Sequence, residues 1–343
     1  MSWPISFEYA PMEAQSAERI PEGPDWQFEP KWDGFRALLF RDGDTIEIRS
    51  KSGQELGRYF PELVSAIKEV PARTFVLDGE IVVPLDGNLA FDKLLQRIHP
   101  AATRIRKLAV ETPAEVIVFD LLVDDKGTSL VELSLRDRRE ALEAFAKKCL
   151  SKNATIHLSP ITYDITEAKA WFQQMAGGLD GIIAKRRDKP YEPGRSAGMQ
   201  KIKNLRSADC VVGGFRYASK GKYVGSLLLG LFDSEGLLHH VGFTSAIAAK
   251  DRQALTEKVE QLIGPPGFTG AAPGGPSRWA TERSSEWQPL KTKLVVEVQY
   301  DHFTGGRFRH GTKILRWRPD KHPEQCTLAQ VERESRSPIG LLR

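Results

Sequence analysis

The sequence predicts an α+β protein of two domains, and three observations carry that reading. At 343 residues the chain exceeds the size that one hydrophobic core usually serves. Up to residue 206, alternating or continuous apolar runs with the period of strands are interleaved with segments of helical spacing. From Ser207 the texture changes to short β runs with glycine turns and one interposed helix. The expected division is therefore 1–206, antiparallel sheets flanked by helices, and 207–343, a small β barrel.

The first 25 residues hold Pro4, Pro11, Pro21 and Pro24, which break any long helix and predict an extended lead-in. Next comes a hairpin, Phe35 to Phe40 and Thr45 to Arg49, with Asp42-Gly43 supplying the turn chemistry. Lys31 is expected where this strand begins, open to a cleft. A helix follows from Tyr59 to Val70, with Phe60, Leu63, Ile67 and Val70 on one core stripe. Thr74 to Val83 reads as a strand carrying Asp78 and Glu80 on one side, because residues two apart share a face. Phe91 to Lys107 has helical character, and Arg97, Arg104, Arg106 and Lys107 suggest a nucleic-acid face.

Val116 to Val123 is a continuous apolar run, hence a buried strand, and Asp120 inside it must find a partner. Leu133 to Leu150 predicts an amphipathic helix with Leu142, Phe145 and Cys149 inward. A second helix, Thr166 to Ala176, is expected to be capped by Thr166 and closed by Gly177-Gly178. The strand Asp180 to Lys185 follows, then a loop and the Lys201-Ile202-Lys203 strand. Beyond the boundary, Asp209 to Phe215, Tyr223 to Phe232, Leu237 to Thr244, Lys293 to Tyr300 and Thr312 to Trp317 read as strands. With the helix Asp251 to Ile263 they fit an OB-fold barrel, a nucleic-acid-binding scaffold.

Charged residues make up 27% and hydrophobic ones 41%, the balance of an ordinary soluble protein. No apolar run approaches a membrane span, and Met1 to Ala10 carries Glu8 and lacks a basic stretch followed by an apolar one. The expectation is a cytoplasmic protein without membrane association. Three cysteines, Cys149, Cys210 and Cys326, are too scattered for a disulfide framework or a four-cysteine zinc site. The net charge of +4 is modest, but positive side chains gather at Lys185-Arg186-Arg187, at Lys201, Lys203 and Arg206, at Lys220 with Lys222, and from Arg307 to Lys321. Such clusters suit phosphate backbones, and each taken alone suits a solvated face equally well.

The chemistry centres on Glu29-Pro30-Lys31-Trp32-Asp33-Gly34-Phe35-Arg36. A lysine walled in beside other cations can lose its proton near neutral pH and attack phosphorus, which makes Lys31 the candidate nucleophile. Alone, the short pattern also fits a surface lysine before a hairpin. Asp78 and Glu80 repel each other unless something positive lies between them, such as Mg²⁺, or a ribose hydroxyl network takes up their oxygens. Lys201 and Lys203 share a face and could neutralise phosphates, or protect an edge strand from aggregation.

In this order, Lys31-x-Asp33-Gly34, Asp78-Gly79-Glu80, Phe119-Asp120, Asp180-Gly181-Ile182-Ile183-Ala184-Lys185, Lys201-x-Lys203 and Arg318-Pro319-Asp320-Lys321 resemble the covalent nucleotidyltransferases. That superfamily comprises ATP-dependent DNA ligases, RNA ligases and messenger RNA capping enzymes, and the resemblance covers nearly the whole chain. It implies an ATP-grasp-like adenylyltransferase domain before the OB domain. It further implies that Lys31 attacks the α-phosphate of ATP to give lysyl-AMP, that AMP passes to a 5′-phosphate at a nick in duplex DNA, and that the 3′-hydroxyl displaces it. The nucleotide contacts so implied are Glu29, Arg36, Lys51, Glu80, Phe119, Ile183, Lys201, Lys203, Arg318 and Lys321. Mg²⁺ or Mn²⁺ would sit at Glu80 and Asp180, and Arg49, Lys185, Arg186 and Arg187 would face DNA.

Two positions depart from the family pattern. Lys51 in Ser50-Lys51 stands where an arginine is usual and offers a point charge without a planar fork. Asp180 stands where glutamate is usual and reaches about one methylene less far, which points to water-mediated metal contact. The final motif is implied to swing over the nucleotide and orient its β and γ phosphates. The Phe308-Arg309-His310-Gly311 lead-in and the Pro273 to Trp279 loop resemble the stand-alone bacterial ligase C type. The resemblance implies a monomer acting in DNA repair, recombination or replication. The competing readings are an RNA ligase or capping-type guanylyltransferase and, in another class, a non-catalytic OB-fold nucleic-acid-binding protein.

Overall fold

A computed structural model describes residues 4–174, 179–219, 222–274, 286–331 and 337–342. Its chain divides into two compact units, Met1–Asn204 with Ser335–Arg343, and Leu205–Glu334. The expected helix closure at Gly177-Gly178, Lys220, and the Pro273 to Trp279 loop beyond Gly274 lie outside the described residues.

The first unit is built on two sheets. One has the strand order Thr45–Ser50, Phe35–Asp42, Thr74–Val82, Glu115–Val123, Ile156–Leu158, antiparallel except for the last pair. The other runs Met12–Ser16, Gly194–Lys203, Gly181–Arg186, Trp26–Lys31, its first pair parallel. Period-two alternation explains why central strands of the first sheet read as unbroken apolar runs, since both faces are covered. Ala37, Leu39, Phe75 and Leu77 face one core with Leu63 and Ile67 of the Pro61–Glu69 helix, Phe60 just before it, and Leu142 and Phe145 of Leu135–Phe145. Leu38, Phe40, Val76 and Leu122 point the other way and meet Met12, Tyr191 and Met199. The back of the second sheet, through Phe28, Ile182, Ala184 and Ile202, packs on Ala168 and Trp171 of the Ile165–Gln174 helix.

The hairpin forms as expected, with Asp42 opposite Thr45 and Gly43 at φ 61° in the turn. Four expectations are corrected. Lys31 ends a strand, Trp26–Lys31, and does not begin one. Pro30 disguised that strand, and it is tolerated there because the strand lies at the edge of its sheet, where a missing N–H costs nothing. Part of the lead-in is likewise a strand, Met12–Ser16. The later helix is capped by Asp164, whose Oδ1 accepts from Thr166 N at 2.7 Å, so Thr166 lies inside it. Arg97 does not share an exposed face with Arg104, Arg106 and Lys107.

Arg97 is fully buried, donating to both carboxylate oxygens of Glu62 at 2.6 and 2.8 Å and to the carbonyls of Tyr59 and Thr112, with Phe60 beneath its guanidinium at 4.9 Å. Truncating one partner of such a pair leaves the other uncompensated. Arg97→Ala is therefore expected to cost about 3–5 kcal/mol, read as a lower denaturation midpoint. An unchanged midpoint would show that the pair adds nothing.

The second unit is a barrel of antiparallel strands in the order Leu238–Thr244, Val224–Phe232, Arg206–Tyr217, Val295–Tyr300, Lys313–Trp317. Its two outer strands approach where Thr312 N donates to Phe243 O at 3.1 Å and Thr244 Oγ1 to Thr312 O at 2.8 Å. Leu255 and Val259 of the Arg252–Glu260 helix fill the barrel core. This is the expected α+β pairing of a sheet-and-helix unit with an OB-like barrel.

Candidate active site

The two sheets of the first unit leave a cleft of about 150 Å³ between them, lined by Glu29, Pro30, Lys31, Ile183, Lys185, Met199 and Lys201 from one side and Arg36, Glu80 and Phe119 from the other. The alternation that buries Phe28, Ile182 and Ile202 behind the second sheet turns Glu29, Lys31, Ile183, Lys185 and Lys201 toward the cleft. Register reinforces this, since Ile183 pairs with Glu29 on one side and with Lys201 on the other.

Lys31 reaches the cleft from the last residue of its strand, and its Nζ contacts Asp180 Oδ2. Two glycines make that geometry possible. A Cβ on Gly34 would run into the Ile81 carbonyl, so only glycine lets the chain after Lys31 press against the strand bearing Glu80. Gly181, at φ 147°, abuts the Ile202 carbonyl in the same way and sets Asp180 beside Lys31.

Beneath the lysine lies a charged layer. Arg36 donates to both oxygens of Asp78 at 2.6 Å, and Tyr191 OH donates to Asp78 Oδ2 at 2.6 Å while accepting from Met12 N at 2.9 Å. Burial, and then Asp78, hold the Tyr191 hydroxyl well above its usual pKa, so it remains a donor. The cation that Asp78 required is thus Arg36. Asp120 in turn receives Arg138 through Nε at 2.9 Å and Nη2 at 3.0 Å. Glu80 stands apart from these pairs. Burial pushes its pKa up to about 7, against the pull of Arg36 and Lys31.

Phe119 forms one wall, with the Arg36 guanidinium 4.4 Å and the Lys185 ammonium 4.6 Å from its ring centre. Glu29, 2% exposed, accepts from Gln27 Nε2 at 2.9 Å and from Lys185 Nζ at 2.8 Å. Lys185 therefore belongs to the cleft and is separated from the surface cluster in which the sequence grouped it. Arg186, the last residue of the Gly181–Arg186 strand, and Arg187 just beyond it are partly exposed, Arg186 on Asp188 and Arg187 4.2 Å from the Tyr163 ring centre. Lys51 bonds Glu13 at 2.8 Å at the rim, whereas Arg49 is held on Glu47 at 3.0 Å and does not line the cleft. Met12, Glu13 and Tyr191 were not singled out in the sequence; the aromatic between Pro190 and Pro193 was the available sign of a buried anchor.

Cations converge at the mouth. Burial, and then Lys31, Lys203, Lys51 and Arg195, lower the pKa of Lys201, the electrostatic signature of a place for a polyanion. Among the described residues no three acids, histidines or cysteines gather as a metal cage. Two carboxylates stand at this end of the site, Asp180 in contact with Lys31 and Glu80 in the lining of the same cleft. That donor set fits Mg²⁺, which keeps waters and phosphate oxygens in its shell and needs one or two carboxylates. In the second unit, Arg318 is held by Asp209 at 2.9 and 3.0 Å and by Asp320, and Lys321 by Asp209 at 2.6 Å.

A lysine set against a carboxylate in an aromatic-walled, cation-lined cleft, followed by an OB-like barrel, is the arrangement expected of a covalent nucleotidyltransferase. Residues 11–203 match the family model described as ATP dependent DNA ligase domain, and residues 220–321 that described as ATP dependent DNA ligase C terminal region. The chain belongs to the ATP-dependent DNA ligases, and within them to the ligase C type. It is 42% identical to DNA ligase C1 of Mycolicibacterium smegmatis over 97% of this chain and 96% of that one. It has the same identity, over the same shares, to DNA ligase C of Mycobacterium tuberculosis. A solved structure from a study of Lig E DNA ligases shares the fold, with a TM-score of 0.54 and 17% identity over 89% of this chain and 98% of that one. No helix among the described residues is long and apolar enough to cross a membrane.

Proposed function

We propose that this ligase seals nicks in duplex DNA by three in-line transfers through lysyl-AMP, with Lys31 as nucleophile. The observation that carries the assignment is the placement of Lys31 Nζ against Asp180 in a cleft walled by Phe119 and Ile183 and flanked by Glu80 and Lys201. The Nζ–P bond forms as the bond from the α-phosphorus to pyrophosphate breaks. Asp180 orients the amine, while Lys201 and Lys203 neutralise charge on the α-phosphate and on the leaving group. The adenine lies between Phe119 and Ile183, Glu80 takes the ribose, and Glu29, Arg36 and Lys51 complete the nucleotide site. Arg318 and Lys321 meet the departing pyrophosphate. A magnesium or manganese ion held by Glu80 and Asp180 would supply charge neutralisation at phosphate oxygens.

AMP then passes to the 5′-phosphate, and the 3′-hydroxyl displaces it. The enzyme acts as a cytoplasmic monomer in repair, recombination or replication. Labelling with ATP against GTP, and sealing of nicked DNA against nicked RNA, test the reading. Preference for GTP or for RNA would return it to the capping enzymes or RNA ligases, and absence of any labelling to a non-catalytic binding protein.

Of the four residues expected to face DNA, the partly exposed Arg49, Arg186 and Arg187 are the ones proposed to do so. Each phosphate neutralised contributes about 0.9 to the slope of log affinity against log salt. Arg186→Ala/Arg187→Ala is therefore expected to lower that slope by about 1.8 for nicked duplex. An unchanged slope would assign both arginines to Asp188 and Tyr163 alone.

A further inference from the structure

The chain leaves the first unit at Asn204 and comes back to it after the barrel. Its last described segment, 337–342, contains a short 3₁₀ turn, Pro338–Leu342. Pro338 is buried, Ser337 Oγ donates to the Gly87 carbonyl, and Leu341 and Leu342 pack on the apolar cluster behind the active site. That cluster joins both walls of the cleft. It contains Phe28, Ile182 and Ile202 from the sheet carrying Lys31, Lys201 and Lys203, and Val82, Ile117 and Phe119 from the sheet carrying Glu80. Trp32, the residue after Lys31, lies in it too, with its indole N–H on Ser159 Oγ at 2.9 Å.

We propose that the C-terminal segment 337–342 is a positioning element of the adenylation site, docked throughout the reaction and holding the Lys31 strand against the Glu80 strand from behind. The first unit is thus completed by residues that follow the barrel. Apolar packing is short-ranged and close-fitting, so a gap where Leu341 and Leu342 pack on this cluster is passed on to the strands that carry Lys31 and Glu80. A displacement of the nucleophile of about 1 Å can cost on the order of 10²-fold in an in-line transfer. The segment itself touches no substrate, and the proposal rests on the assignment of Lys31.

Two experiments on the full chain test it. In Leu341→Asp/Leu342→Asp, measured well below its melting temperature, the single-turnover rate of lysyl-AMP formation at saturating ATP is expected to fall at least ~10-fold, with a smaller change in half-saturating ATP. Leu341→Met/Leu342→Met is expected to retain the rate. A folded aspartate variant labelled at the wild-type rate would overturn the proposal. The second experiment does not depend on that variant folding. A Cβ on Gly87 would stand 3.5 Å from Ser337 Cβ, within disulfide reach, and Cys149, Cys210 and Cys326 are all buried. Gly87→Cys/Ser337→Cys is expected to cross-link under mild oxidation and to form lysyl-AMP and seal nicks at the rate of its reduced form. Because Gly87 lies at φ 80°, where a side chain is strained, the variant is first shown to keep the wild-type lysyl-AMP rate when reduced; failure of that variant to cross-link, or activity lost on oxidation and restored by reduction, would contradict a segment that stays docked. Lys31→Ala distinguishes the two claims, since it abolishes labelling with the segment in place.

Discussion

Lys31→Ala is expected to abolish covalent labelling by AMP and nick sealing from ATP, yet to seal a pre-adenylylated nick at a residual rate. The reason lies in what the amine does. In the proposed mechanism it forms the bond to phosphorus in the first transfer and releases it in the second, whereas the third joins a 3′-hydroxyl to an already activated 5′-phosphate. The rest of the cleft, Glu80 and Lys201 included, remains in the variant to support that last step. Asp180 loses its contact with the amine, so some destabilisation is expected as well. Measuring labelling and sealing separately keeps the two effects apart. Labelling of the variant on incubation with ATP would remove Lys31 from the mechanism.

The second large effect is expected at Arg318 and Lys321. Both are engaged by Asp209, and Arg318 also by Asp320, so the charges proposed to meet pyrophosphate are held in place beforehand by carboxylates. Preorganised cations of this kind stabilise a developing charge at little reorganisation cost. Arg318→Ala or Lys321→Ala is expected to slow lysyl-AMP formation by ~10² to 10³, while sealing of a pre-adenylylated nick, from which no pyrophosphate departs, falls far less. Single-turnover measurement of both steps decides the matter. Equal losses would mean that the Asp209 pairs are structural or that the motif contacts DNA.

Much of the architecture was legible because period and punctuation agree with the fold. The Phe35–Asp42 and Thr45–Ser50 hairpin, the Pro61–Glu69 stripe, the Glu115–Val123 strand and the barrel strands all follow from apolar spacing with turns between them. The Trp26–Lys31 strand was hidden because Glu29, Pro30 and Lys31 are poor strand formers, and what holds them is pairing with Gly181–Arg186. Charged residues misled for a related reason. Lys185 and Arg97 look like surface in the sequence, and their burial depends on Glu29 and Glu62, far away in the chain. Asp78 and Glu80 were legible as a pair that needs a positive neighbour. The neighbour of Asp78 is Arg36, which the register sets opposite Glu80 and which reaches diagonally to Asp78, a tertiary choice between two carboxylates that spacing alone does not make. The docking of Leu341 and Leu342 has no local signal at all, because it is purely tertiary.

The central claim is that Lys31 carries the nucleotide. Incubation of the full chain with ATP and Mg²⁺, followed by proteolysis and mass mapping of the adduct, tests it directly. The account predicts AMP on the peptide containing Lys31, lost when nicked DNA is added and sealed; an adduct on any other residue, or sealing from ATP with none at Lys31, would contradict it.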